Sequence, residues 1–125
     1  MTLEEVARAF PNAFHDCYLC AMAIDYEAHR ARFVIEVNLG EEYRRVNVII
    51  SGLKFVIFDA PDIHQNLSTI QRLEACGRVT EKSFFPQLEE FRENASSETF
   101  FYTFWLPQLL ANIHVSATEA RLDTV

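Results

Sequence analysis

Four groups of residues in this chain have side chains able to form a chemical site. The first is His15-Asp16-Cys17-x-x-Cys20, because zinc takes thiolate and imidazole ligands that converge from a turn. A Cys pair at i and i+3 converges on a turn, whereas on a strand the two point to opposite faces. No second Cys pair follows, only Cys76. The plainer assignment is that these cysteines are small buried hydrophobes, with His15 and Asp16 ordering the start of a strand. No metal is expected. The second group, Asp59-x-x-Asp62-x-His64, joined by His15 or Asp25, could supply a metal site or an acid/base pair. Its spacing matches no paired-His helix signature, and Asp is favoured at such a strand-to-helix junction as turn former and cap.

The third group, Arg30, Arg32, Arg44 and Arg45 beside Glu27, Glu36, Glu41 and Glu42, is accounted for by cross-strand pairing on a solvated face. The fourth is a surplus of aromatics: Tyr18, Tyr26, Tyr43, Phe101 and Trp105. Most are expected in the core. Tyr and Trp are nevertheless enriched at protein interfaces, so Trp105 and Tyr18 are the expected partner-binding anchors. His114, on an alternating segment, is expected as a polar-face or satisfied core histidine.

The usual catalytic turns are missing. Ser51-Gly52 lacks the first Gly of a nucleophile elbow, and with 3 glycines in all a phosphate-cradling loop is not expected. No catalytic residue and no cofactor are assigned. The net charge is -7 without a Lys/Arg run, which argues against a nucleic-acid partner, since that grip needs a basic surface. It leaves a basic protein partner open. No apolar run approaches the ~20 residues of a membrane span, and Met-Thr-Leu-Glu-Glu is acidic where a secretory signal is basic. The 3 cysteines, odd and few, suit free thiols in a reducing cytoplasm. The glycosylation patterns at Asn66 and Asn94 are then chance matches.

These residues must be positioned by strands. Phe33, Ile35, Val37 and Leu39 alternate with mostly polar neighbours, and Val46, Val48 and Ile50 do the same behind Gly40-Glu41-Glu42. Lys54–Phe58 makes a third, shorter run, so an antiparallel meander is predicted. Before it, Tyr18, Cys20, Met22, Ile24 and Tyr26 are predicted to share one face of a strand. Thr2-Leu-Glu-Glu5 is a capping box for a short helix carrying Leu3, Val6, Ala7 and Phe10, stopped at Pro11. Ile63, Leu67, Ile70 and Leu73 follow helical spacing to Gly77, a helix stop. Gln87–Glu93 fits one or two helical turns. Glu98–Leu106 is aromatic on both faces and should be covered on both sides. Leu109–Ala117 alternates again, and the polar tail from Thr118 is expected to fray or extend that strand. The fold class is α+β: one domain over 1–125, a mostly antiparallel sheet of about six strands, a short N-terminal helix and one middle helix.

Phe14-His15-Asp16, a strand ending Ile24-Asp25-Tyr26, and the later Phe100-Phe-Tyr-Thr-Phe-Trp-Leu-Pro107 together resemble a loose group of small bacterial proteins. Some of that group are assigned as immunity proteins of toxin systems. The resemblance implies a cytoplasmic interaction module and transfers no catalytic residue. The expected function is therefore non-catalytic protein binding, of an immunity type, with a basic partner favoured by the acidic charge. The alternative is a small-ligand-binding or weakly hydrolytic protein with an aromatic-lined pocket around His15, Asp16 and Asp59.

Overall fold

The Thr2 hydroxyl accepts the Glu5 amide at 3.1 Å, the predicted cap, and starts helix α1 (Leu3–Ala7) in this computed structural model. Residues 1–59, 70–80 and 86–123 are described. The helix ends well before Pro11, and its Leu3, Val6 and Ala7 are buried. A run of turns follows, and Asp16, at φ 50°, turns the chain into β1 (Cys17–Asp25). After it come β2 (Arg30–Asn38), β3 (Tyr43–Ser51), β4 (Phe55–Asp59), β5 (Leu73–Val79), α2 (Pro86–Asn94), β6 (Phe100–Leu106), β7 (Ala111–Ala117) and β8 (Glu119–Asp123).

Every pairing is antiparallel, in the order β4-β7-β6-β5-β1-β2-β3-β8. The predicted α+β character holds, but among the described residues the sheet has eight strands rather than about six. Two departures account for this. First, the tail as far as Asp123 does not prolong β7: after Thr118 it leaves for a new neighbour, β3. Second, Leu73–Gly77 is strand, not the end of a helix. Gly77 acts there as a point of close approach. Its amide donates to the Phe14 carbonyl at 2.9 Å, and an added Cβ would strike the Tyr102 ring and Phe14 Cβ. Most of the predicted middle helix falls at 60–69, outside the described residues.

The strand order closes on itself. Gly52, at φ 63°, kinks the chain between β3 and β4, and Thr118 does the same between β7 and β8. Pairing continues across both kinks, Ser51 opposite Glu119 and Phe55 opposite Ser116. The gap is bridged by Thr118 N–H to Ser51 O at 3.3 Å and Lys54 N–H to Ser116 O at 2.7 Å. One bent ribbon therefore lies against another, giving a flattened barrel of two leaves: β1, β2, β3, β8 and β4, β7, β6, β5.

The inward rows are those that alternation predicts. Phe33, Ile35, Val37, Val48, Ile50, Phe104 and Ile113 are at most 2% exposed. Phe33 of one leaf meets Phe104 of the other at 5.6 Å between ring centres. Phe14 packs on Phe104 and Tyr102 at 6.0 and 6.3 Å. Every residue of β7 is buried, because its outer face is covered as well as its inner one. There α2 sets Phe91 on Phe55 and Phe101 at 5.0 and 6.0 Å. Among the described residues no helix is long and apolar enough to cross a membrane.

Val48 is fully buried between β2 and β8. Val48→Asp should abolish the cooperative thermal transition, since an unpaired buried carboxylate costs several kcal/mol, roughly, against a total of ~5–15. A variant melting with its parent would put Val48 on the outer face.

Candidate functional site

A one-residue irregularity in β1 builds the site. Leu19 pairs with Ile35 and Ala21 with Val34, leaving Cys20 as the extra residue of a bulge. Strict alternation predicts Tyr18 and Met22 on one face. The bulge separates them: Met22 stands opposite the inward Phe33, and Tyr18 opposite the outward Glu36. Tyr18 is thereby placed outside the barrel, half-buried.

On that outer face β3 brings Tyr43 to Tyr18, with ring centres 5.1 Å apart. The Arg72 guanidinium, just before β5, lies 3.8 Å above the Tyr18 ring centre and 5.3 Å from that of Tyr43. Arg72 also ion-pairs with Glu36, whose other oxygen accepts from Arg45 Nη2 at 3.0 Å. The Arg45 hydrogen bond first, and Arg72 after it, hold the Glu36 carboxyl below its ordinary value. Burial, and then the Tyr18 phenol, raise that of Tyr43. The Glu36–Arg45 pair is the cross-strand pairing expected of this sequence. Arg72 was not legible there, because it sits in a stretch with helical spacing and far from Tyr18 along the chain.

Two hollows flank the tyrosines. One of about 370 Å³ lies among Cys20, Glu36, Arg45 and Arg72. The other, about 340 Å³, lies among Asp16, Tyr43, Glu74 and Cys76. The face thus combines aromatic rings, a guanidinium and a rim of carboxylates. Such a face offers ring stacking, cation–π contact and charge pairing at one place.

His15 and Asp16 do come together with a thiol. His15 Nδ1 is 3.3 Å from Cys76 Sγ. Burial, and then the Asp16 carboxylate, push the Cys76 thiol up, so it stays protonated at neutral pH and is not a poised nucleophile. Cys17 lies inside, 3.3 Å from the Phe14 carbonyl and 3.2 Å from that of Ala75. Burial drives its pKa up to about 12. Cys20 is exposed. Among the described residues no group of three or more His, Cys, Asp or Glu could hold a metal ion.

Asp59 stands elsewhere. It ends a row across one leaf, Asp59–Asn112–Trp105–Cys76, three strand spacings or about 14 Å from Cys76. Asp62 and His64 lie outside the described residues. Trp105 is half-buried on the outer surface, two strands from Tyr18 with β5 between them. His114 is 1% exposed, and its Nδ1 is 2.8 Å from Thr103 Oγ1, itself 2.6 Å from Thr80 Oγ1. Burial lowers its pKa, which keeps it neutral: a core histidine within a hydroxyl chain.

Thiol reactivity should follow these environments. In the folded protein a disulfide reagent should modify Cys20 first and Cys76 more slowly, with Cys17 reacting only in denaturant, as peptide mass mapping would record. Labelling of Cys17 as fast as Cys20 would contradict the assigned inward face. No protein-family model, no curated protein and no solved structure matches this chain, so its geometry carries the functional conclusion.

Proposed function

We propose that the chain is a non-catalytic, cytoplasmic protein-binding module whose partner is basic and whose working surface is the Tyr18–Tyr43–Arg72 face. One observation carries this: two tyrosine rings and a stacked guanidinium stand on the outer side of the sheet, where they do little for the core. Tyr and Arg dominate binding energetics when a partner desolvates them. Here Glu36 already fixes the Arg72 head, so less freedom is lost on binding.

Charge supports the choice of partner. Asp16, Glu41, Glu42 and Glu74 are exposed around Tyr43 or its hairpin, within a chain of net charge -7. Such a field speeds encounter with a basic protein. A toxin held by its immunity protein is the instance that the resemblance of the Phe14–Asp16 and Phe100–Pro107 segments implies. A hydrolytic pocket would need His15, Asp16 and Asp59 to converge, which three strand spacings oppose.

Affinity capture from the source cell should recover a basic protein. Its association rate should fall several-fold between low and ~0.5 M salt as screening shortens the field, and Tyr18→Ala should mainly speed dissociation. Undiminished binding by Tyr18→Ala, or a reproducible small molecule in place of a protein, would overturn the proposal.

A further inference from the structure

Four apolar side chains break the polar pattern on the outer face of one leaf. Ala21 of β1 pairs with Val34 of β2, and the next row runs Ala23–Arg32–Ile49–Arg121 across β1, β2, β3 and β8. Alternation turns this face to solvent, and Glu36, Arg45, Arg30 and Arg121 on it are polar accordingly. Ile49 is nevertheless only 7% exposed, since the aliphatic stems of Arg32 and Arg121 stand on either side of it.

A hollow follows from side-chain size. The two alanines of β1 stop at Cβ, whereas Val34, Arg32 and Arg30 on the adjoining strand rise above the sheet. The step between them encloses about 400 Å³, within the ~300–1,000 Å³ of small-molecule sites. Ala21, Ala23, Val34 and Ile49 give it an apolar floor, and guanidinium groups stand beside that floor.

Charge narrows the occupant. Arg30 and Arg32 are exposed, and among the described residues neither takes part in an ion pair. Asp25 also lines the hollow, but it lies opposite Arg30 and accepts the Ala28 amide at 3.0 Å, so it closes the hairpin end. Arg32 stands instead between Ala23 and Ile49. A guanidinium next to an apolar floor suits an apolar body ending in an oxyanion, which it can hold through two parallel N–H···O bonds. An acidic protein or an anionic membrane offers the same chemistry, but a chain of net charge -7 repels both. A small molecule with one charge feels chiefly the nearby guanidiniums, because salt screens the distant carboxylates. We propose that the hollow binds a small amphipathic anion, with its apolar tail on Ala21, Ala23, Val34 and Ile49 and its head group on Arg32. The site is separate from the tyrosine face and does not depend on what that face binds.

Decanoate, titrated below its micellar concentration and followed through backbone amide chemical shifts, tests this. The signals of Ala21, Ala23, Val34 and Ile49 should move on one saturating curve, at one decanoate per chain. Arg32→Gln should weaken binding roughly tenfold, the scale of a lost charge-assisted bond, with the melting point unchanged. Ala23→Leu keeps every charge but fills the floor, and should abolish binding in a chain that still melts like its parent. Decyltrimethylammonium, with the same tail and the opposite charge, should not saturate. Absence of saturation by decanoate, equal binding of the cation, full affinity in Arg32→Gln or Ala23→Leu, or shifts away from these four residues would overturn the proposal. Cosedimentation with anionic phospholipid vesicles would overturn it too, by assigning the hollow to a membrane surface.

Discussion

The architecture depends on a double kink where Gly52 meets Thr118. An open sheet of this many strands would present two long edges and could not fold both faces of its core together. Here β3 and β4 remain one ribbon, β7 and β8 another, and the two stay hydrogen-bonded through the bend. Each ribbon serves both leaves, so the sheet closes. Position 52 favours glycine for two reasons at once: its φ is 63°, and a Cβ would run into the Thr118 hydroxyl. The same hydroxyl donates to the Ser51 carbonyl at 3.4 Å, tying the corner.

Closure decides what is inside. Once the leaves face each other, one residue in two along each strand is committed to the Phe33–Phe104 interior, with Phe14 alongside and α1 packed against β8 and β6. The remaining rows face outward and are used unevenly. Beside β7, α2 sets Phe91 on Phe55 of β4 and Phe101 of β6, while Trp105 further along β6 stays half-buried. On β1, β2 and β3 the outward rows stay accessible and carry the tyrosines, Glu36 and the arginines. The bulge at Cys20 is the hinge between these roles, since it turns Tyr18 out and ends the contact with β5. Stability and the proposed recognition thus draw on different rows of the same strands.

What the sequence made legible follows from this division. In β2, β3, β6 and β7 the inward row is strongly apolar, so period-two reading placed Phe33, Val48, Phe104 and Ile113 correctly. In β1 the same method fails, because an inserted residue leaves no mark in the hydrophobic pattern beyond reversing it. Leu73 and Gly77 resembled a helix end, since Ile70 and Leu73 are three apart and glycine stops helices as readily as it admits a close approach. Strand β8 is short and half polar, with only Ala120 fully buried, and its partner is some seventy positions away. Of the candidate site, Tyr18 and the Glu36–Arg45 pair were visible in the sequence. Their junction with Tyr43 and Arg72 was not, because it exists only after β5 is laid beside β1.

The central claim is that the outer tyrosine face serves recognition and not stability. Thermal unfolding of Tyr18→Ala/Tyr43→Ala beside Phe104→Ala tests it most directly. The account predicts that the tyrosine variant melts close to the parent, whereas the Phe104 variant loses much of its stability through the cavity left between the leaves. A tyrosine variant destabilised as far as Phe104→Ala would contradict it, making the two rings part of what holds the barrel shut.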